Sequence, residues 1–309
     1  MRTRARARSL RKRRNCLQCP CHGSKNLARM PLQSKLCPFC RGLNSAEERR
    51  CYRCGRPLPG PLASGLIGFF KNTLGAENAM TRLFVGLCIG VFALCVASEH
   101  HLPLWGREQF ALSTVLRFGG IAGSLAQAQP WRYFSAVFVH FNLLHVGMNC
   151  FVLVAVGAAA ERELGKARFV LLFVLTGALG FVASDLWAGG MSSPTAGASG
   201  AVFGLFGSVV GIAFARRDPN WKQVLMQNVV WIVVLGFMGS VNNAAHVGGL
   251  ISGALLGFLF NKEPRKLNLD AAFAVVAAVL VVVSLASVAL SAASPIWRLV
   301  KSQEMSREY

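Results

Sequence analysis

The chain carries long apolar runs separated by short polar connections. The runs contain few or no charged side chains and cover residues 83–98, 146–160, 169–184, 199–215, 224–238, 247–260 and 271–294. A helix that crosses a bilayer needs about 17–25 predominantly apolar residues. One such run could be a buried core helix, but a series of seven predicts about seven transmembrane helices. The pattern therefore predicts an all-α polytopic membrane protein.

Composition and charge support this reading. Hydrophobic residues make up 53% of the 309 positions, and the net charge of +20 is concentrated before the first apolar run. A basic segment such as "RTRARARSLRKRRN" often binds nucleic acid. In a polytopic membrane protein, retention of positive charge in the cytoplasm is the simpler explanation, so a nucleic-acid partner is not expected.

Charges in the connections predict the topology. Lys and Arg recur in segments 161–168, 216–222 and 262–266. The alternate connections, 185–198 and 239–245, contain neither. The positive-inside rule then places the N-terminus in the cytoplasm and, with seven helices, the C-terminus outside. The expected location is the inner (plasma) membrane of a bacterium.

Two Cys-x2-Cys pairs precede the membrane part, in "CPFCRGLNSAEERRCYRCG". The four thiols belong to Cys37, Cys40, Cys51 and Cys54, and their spacing suits a tetrahedral Zn²⁺. Disulfides are the alternative, but the predicted cytoplasmic location is reducing. We expect a zinc-ribbon-like domain over 35–58 that depends on a structural zinc ion to fold.

The remaining chain divides around this domain. A basic segment, 1–34, is expected to be disordered, and 59–80 reads as a linker. Residues 81–262 are predicted to form a six-helix core. Residues 263–309 are predicted to add a transmembrane helix and a short external tail.

Three further cysteines, in "CLQCPC" at residues 16–21, allow two interpretations. They could form a second metal site with His22, or residues 1–29 could lie outside the working protein. In the second case Met30, directly before the ribbon, would be the natural start.

Polar side chains occur near one end of three predicted helices. Ser199 opens the fourth helix and His246 opens the sixth. His145 and Asn149 begin the second helix with i, i+4 spacing, so they share one face. All three helices would run inward, which brings the four side chains to a similar depth. Polar residues inside a membrane are functional candidates.

The fourth and sixth helices also carry glycines at four-residue spacing, in "SGAVFG" and "GGLISG". Small residues at this spacing let helices approach closely in lipid. If these faces meet at Gly200, Ser199 lies beside His246. A hydroxyl and an imidazole are the nucleophile and general base of acyl transfer. Phe203, one turn after Ser199, is placed to pack against the imidazole.

An acyl-transfer site also needs donors for the developing oxyanion. The first turn of the fourth helix supplies free N–H groups, and His145 and Asn149 offer side-chain donors. Gly197 and Gly200 suit a loop that enters the protein before this helix. Asp185, the nearest acidic residue, is expected in an external loop. The prediction is a Ser-His dyad without a catalytic cofactor.

Taken singly, each residue has a simpler explanation. Serine in a glycine-rich helix is usually a packing residue, and Asn in a span usually bonds to another helix. The soluble-hydrolase motif G-x-S-x-G is not met, because position 201 is Ala. Only the co-occurrence favours a hydrolytic site. Four polar side chains near the outer face are expected to line a cavity that holds the water for hydrolysis: Ser135, His140, Asn142 and His145.

At these residues the chain resembles the rhomboid intramembrane serine proteases, over about 80–260. The motifs that carry the resemblance are "PWRYFSAVFVHFNLLH", "HVGMN", "ERELG", "GASGAVFG" and "AHVGGLISG", in that order. The resemblance implies a six-helix catalytic core in which Ser199 is the nucleophile and His246 the general base.

The resemblance further implies an oxyanion hole from His145, Asn149 and the Ser199 backbone N–H, shaped by Gly197. Trp131 and Arg132 match its interfacial loop. Implied substrates are single-pass membrane proteins in the lipid bilayer, cut within or near the span. The seventh helix and the ribbon lie outside the shared core.

Two alternatives stay open. A catalytically inactive relative that binds membrane proteins would be expected to have lost Ser199 or His246, and both are present. A transporter or channel would need charged residues at mid-membrane, where the runs have none apart from groups near helix ends.

Overall fold

The computed structural model divides the chain into two compact units, Met1–Gly68 and Phe69–Tyr309. The residues it describes are 34–36, 42–45, 48–55, 58, 77–106, 108–236, 242–262 and 269–308. In the smaller unit, strands β1 (Ser34–Leu36) and β2 (Leu43–Ser45) form an antiparallel hairpin. Most of the predicted linker and most of the basic segment lie outside the described residues.

The larger unit is mostly helical. Its elements in chain order are α1 (Ala79–Glu99), α2 (Leu112–Phe118), β3 (Ile121–Gly123), α3 (Leu125–Ala128), α4 (Arg132–Ser135), a 3₁₀ turn (Ala136–Phe138), α5 (Leu143–Leu164, with a π-helical segment Leu153–Gly157), α6 (Lys166–Trp187), β4 (Ser192–Thr195), α7 (Ser199–Ala215), α8 (Trp221–Gly236), α9 (Asn243–Lys262), α10 (Asp270–Ala293) and α11 (Ile296–Glu308). Residues 100–142, between α1 and α5, are called the long connection below.

Among the described residues, five helices are long and apolar enough to cross a membrane: α1, α5, α6, α9 and α10. Helix α7 is equally apolar but has only 17 residues. It is short because an extended segment, β4 and the residues after it, enters the protein before the helix begins. The prediction of a mostly helical, multi-pass membrane protein is confirmed.

Helix α6 lies at the centre of the bundle, with most of its side chains buried, and α7 and α9 pack against it. Gly249 and Gly253 of α9 lie against the backbone of Gly200 and Gly204 in α7. A methyl group on either α9 glycine would meet the facing carbonyl oxygen. The four-residue spacing in both helices thus permits backbone contact, which brings their first turns together.

Helix α1 is capped by an acidic side chain from α5. The Glu161 carboxylate accepts hydrogen bonds from the backbone N–H groups of Met80 (3.0 Å) and Thr81 (2.8 Å) and from the Thr81 hydroxyl (2.8 Å). A carboxylate at a helix N-terminus complements the helix dipole. This buried side chain has a structural role at the end of α5 opposite His145.

The structure differs from the predictions made from the sequence at three points. Asp185, expected in an external loop, lies in the last turn of α6 and is buried, because its carboxylate is satisfied by two hydroxyl groups. The tail expected after α10 is helix α11, which packs against α2 of the long connection. Helix α1 begins at Ala79, within the stretch predicted as linker.

Candidate active site

Ser199 and His246 meet where α7 and α9 begin. The Ser199 Oγ atom lies 2.9 Å from Nε2 of His246. Ser199 is the first residue of α7 and remains partly exposed, whereas His246, in the first turn of α9, is buried. A neutral imidazole that accepts this hydroxyl proton makes the serine oxygen nucleophilic.

The His246 ring is held from one side by an aromatic ring. The Phe203 and His246 ring centroids are 4.5 Å apart. Within the described chain, Nδ1 of His246 is buried without a hydrogen-bond partner. Asp185 does not reach it, because its carboxylate accepts hydrogen bonds from Tyr133 and Ser192, each at 2.9 Å. The arrangement is a pair rather than a triad.

The segment before Ser199 is anchored to the long connection. Gly197 has φ 126°, a conformation that favours glycine, and its N–H donates to the Ala136 carbonyl (2.8 Å). Strand β4, just upstream, pairs with β3. The first N–H groups of α7 have no intrahelical acceptor, as at any helix start, and they carry the positive end of its dipole.

His145 lies beside this segment. A methyl group on Gly197 would lie 2.8 Å from Nε2 of His145. The Phe141 N–H donates to Nδ1 of His145 (3.5 Å), so the neutral ring carries its proton on Nε2, facing Gly197. Asn149 differs from the expectation, since its amide donates to the His145 carbonyl (2.9 Å) rather than toward Ser199.

His140 and Ser135, which the sequence assigned to a water-holding cavity, are both fully buried. Nδ1 of His140 donates to the Phe138 carbonyl (3.2 Å), and Nε2 accepts the Ala198 N–H (3.4 Å). Burial, reinforced by the nearby His145, lowers the pKa of His140 well below its ordinary value, so the ring stays neutral and can accept. His140 therefore fixes the residue before Ser199.

Asn242 is a site residue that the sequence reading missed. Its Oδ1 accepts the Ala245 N–H (3.0 Å), which caps α9. Its amide donates to the hydroxyls of Ser184 (2.6 Å) and Thr195 (2.9 Å). The first turn of α9 is thereby tied to α6 and β4. The available signal was the preference for Asn at helix N-caps, in "VNNAAH".

The smaller unit contains the second predicted metal-binding pair, within the turn at residues 51–55. Cys51 is buried, and its Sγ accepts the Arg53 N–H (3.4 Å). The Tyr52 N–H donates to Oδ1 of Asn44 on β2 (3.1 Å), which ties the turn to the hairpin. Hydrogen bonds to sulfur orient metal-bound cysteines, so the turn fits a zinc ligand. Two predicted ligands lie outside the described residues: Cys37 and Cys40.

Comparison with known proteins matches residues 127–263 to a family model described as Rhomboid domain. The chain is 32% identical to Rhomboid protease GlpG of Klebsiella pneumoniae over 213 residues, covering 64% of this chain and 69% of that protein. It is 34% identical to Rhomboid protease GluP of Bacillus subtilis over 189 residues, 60% of this chain and 34% of that one. It is 29% identical to Rhomboid protease AarA of Providencia stuartii over 226 residues, which cover 64% of this chain and 78% of that protein. The chain spans about a third to a half of the length of several curated relatives.

Proposed function

The chain belongs to the rhomboid family, and we propose that it is a serine endopeptidase that cleaves membrane proteins within or near their transmembrane segments. The observation that carries the proposal is the 2.9 Å contact between Ser199 Oγ and His246 Nε2. This contact lies at the start of two tightly packed helices, beside a loop and a helix N-terminus suited to hold a developing negative charge.

In the proposed reaction, Nε2 of His246 takes the hydroxyl proton as Oγ of Ser199 bonds to the scissile carbonyl carbon. The imidazolium then gives that proton to the leaving amine, and the C–N bond breaks to leave an acyl ester on Ser199. Water, deprotonated by His246, attacks the ester and releases the acid product with the proton returned to Ser199.

The tetrahedral intermediate carries a negative oxygen that needs fixed donors. The Ser199 N–H at the start of α7 and the Nε2–H of His145 are proposed to supply them. Asn149 adds a donor if its amide exchanges the His145 carbonyl for the substrate oxygen. In a soluble serine protease, removal of one such donor costs about 100- to 1000-fold in kcat.

The proposed substrates are single-pass membrane proteins in the bilayer of a bacterial inner membrane. The proposed orientation places the N-terminus in the cytoplasm and the C-terminus outside. Basic side chains support it: Arg168 and Arg216 lie at the helix ends away from Ser199. Substrate would therefore be cut near the external face.

The decisive experiment places the purified full chain in liposomes with a single-span test substrate carrying a fluorescent N-terminus. Wild type and Ser208→Ala should cleave it, and Ser199→Ala should not. Ser208 is a matched control, since it is buried in the same helix and its hydroxyl donates to the Leu205 carbonyl within that helix. Equal cleavage by Ser199→Ala would remove Ser199 from the mechanism. Binding without cleavage by wild type would favour the inactive scaffold instead.

We further propose that Cys37, Cys40, Cys51 and Cys54 hold a structural Zn²⁺. Support comes from their spacing and from the N–H donated to the sulfur of Cys51. The antiparallel pairing of Ser34–Leu36 with Leu43–Ser45 also supports the proposal, because these two strands flank the first Cys-x2-Cys pair in the sequence.

A further inference from the structure

Two helices outside the family match, α10 and α11, contact the long connection. We propose that they act as a brace that positions residues 196–198, and therefore the oxyanion donors, for catalysis at Ser199. We call α10 and α11 together the C-terminal brace. The inference rests on the proposed function, because the brace is proposed to affect the rate of that proteolytic reaction.

Helix α11 contacts α2 through a stacked cation and a carboxylate. The Arg117 guanidinium lies 4.7 Å from the ring centroid of Trp297, whose indole N–H donates to the Ala292 carbonyl (3.0 Å). Oε1 of Glu304 accepts the Ser113 N–H in the first turn of α2 (3.3 Å). A carboxylate is favourable at that end of a helix. These contacts fix α2 from its first turn to its last.

Helix α10 contacts the chain next to α4. The Gln129 amide donates to the Ser294 hydroxyl (3.0 Å). The hydroxyls of Ser291 and Ser135 lie 3.5 Å apart, and both residues are completely buried. Ser135 also donates to the Gly119 carbonyl (3.0 Å), just after α2. The end of α10 thus holds both sides of α4.

The buried side chain of Arg132 connects these contacts through its hydrogen bonds. Nε of Arg132 donates to the Gln129 side chain (2.8 Å), whose amide in turn donates to Ser294, the C-cap of α10. Nη1 of Arg132 donates to the carbonyls of Leu116 (2.8 Å) and Gly120 (2.9 Å), which closes the turn between α2 and β3. The brace, α2 and β3 therefore share one hydrogen-bonded framework.

Two short routes lead from this framework to Ser199. Ala136, the residue after Ser135, accepts the Gly197 N–H. Ile121, directly after Gly120, pairs with Thr195 of β4. A displacement of the long connection therefore shifts the segment that enters α7 at two points, Thr195 through β3 and Gly197 through Ala136.

The segment depends on this support because its own elements are short. Helix α2 has seven residues and β3 has three, and isolated helices of fewer than about 12 residues are marginal in water. Reaction rates respond to small misplacements, with about 100-fold lost for 1 Å. The described contacts of the Ser199–His246 pair come from α7 and α9, so the residues of the C-terminal brace are positioning residues.

The test compares Trp297→Ala with Leu299→Ala, a truncation of an exposed side chain on the same helix. Both full-length variants are assayed in liposomes for kcat and KM and for the rate at which a fluorophosphonate labels Ser199. We expect Trp297→Ala to lose about tenfold in kcat and in labelling rate, with KM unchanged. Trp297→Phe, which keeps a ring under Arg117, should recover most of the loss. Leu299→Ala should match wild type.

A wild-type kcat in folded Trp297→Ala would overturn the inference, as would a change confined to KM. If Trp297→Ala does not fold, Glu304→Gln decides. It should lower kcat about threefold at an unchanged melting temperature, and an unaltered kcat would overturn the brace. A wild-type protein that neither cleaves nor labels would overturn the proposed function and the brace with it. An active wild type with equally active variants would overturn the brace alone.

Discussion

A methyl group added at Gly180 should uncouple Ser199 from His246 without touching either residue. Gly180 lies on α6 where the first turn of α9 crosses it. A Cβ there would lie 2.7 Å from the Ala245 carbonyl oxygen, whereas ordinary van der Waals contact begins at 3.4 Å. Gly180→Ala therefore requires the start of α9 to move by about 0.7 Å. The clash involves a backbone oxygen in a packed helix, which cannot rotate aside as a flexible side chain can.

The movement acts directly on the reacting pair, since Ala245 precedes His246. A shift of about 0.7 Å away from α6 lengthens the 2.9 Å Oγ–Nε2 contact by up to that amount, to about 3.6 Å at most, which is beyond hydrogen-bond range. From the sensitivity of rate to position, we expect kcat to fall about 10- to 100-fold. Overpacking of this kind costs about 1–3 kcal/mol, so the variant should still fold.

The assay is turnover of the single-span substrate in liposomes, with melting temperature measured on the same samples. Gly86→Ala is the control, because a methyl group at that glycine of α1 meets nothing within 4 Å. Wild-type kcat in Gly180→Ala, or an equal loss in Gly86→Ala, would refute the reasoning that helix contact sets the distance between Ser199 and His246.

Three further predictions concern separate parts of the chain. Cys37→Ser should abolish zinc in the purified protein, measured by elemental analysis, and leave proteolysis in detergent largely intact; complete loss of activity in a folded membrane core would place the ribbon in catalysis. Asn242→Ala should lower the melting temperature, by removing a cap worth about 1 kcal/mol, and also lower kcat; an unchanged kcat would show that the cap does not position His246. Glu161→Ala should cost about 2 kcal/mol or more by leaving the start of α1 unsatisfied, with the kcat of the folded fraction unchanged; a kcat loss at constant melting temperature would contradict that structural role.

The helical layout was largely predictable from apolar run length. The predicted run 199–215 coincides with α7, and the run 146–160 lies within α5. Glycine spacing also predicted which faces of α7 and α9 meet, because backbone contact in lipid needs a series of small residues on both helices. These are local signals, and they can be read without knowing the tertiary structure.

Features that depend on distant partners could not be predicted in this way. Asp185 can be buried because its carboxylate accepts a hydrogen bond from Tyr133, 52 residues away in the sequence. No pattern in the sequence around Asp185 predicts that partner. Burial and that hydrogen bond raise the pKa of Tyr133 to about 12, so the phenol remains a donor at neutral pH. Similarly, 296–308 is polar in sequence, and its packing on α2 follows only from where α10 ends.

The side-chain direction of Asn149 could not be predicted either. Spacing placed it on the face of α5 that carries His145, but its amide bonds to the carbonyl one turn earlier in its own helix. Helical carbonyls compete for amide donors, and periodicity does not distinguish between the two acceptors.

The central claim, that Ser199 is a nucleophile activated by His246, is tested most directly by locating a covalent adduct. Purified wild-type protein is treated with a fluorophosphonate, digested and analysed by mass spectrometry, beside His246→Ala and Ser208→Ala. The account predicts stoichiometric modification of Ser199 alone in wild type and in Ser208→Ala, and none in His246→Ala. Modification of Ser199 at the wild-type rate in His246→Ala, or an adduct at another serine, would contradict it.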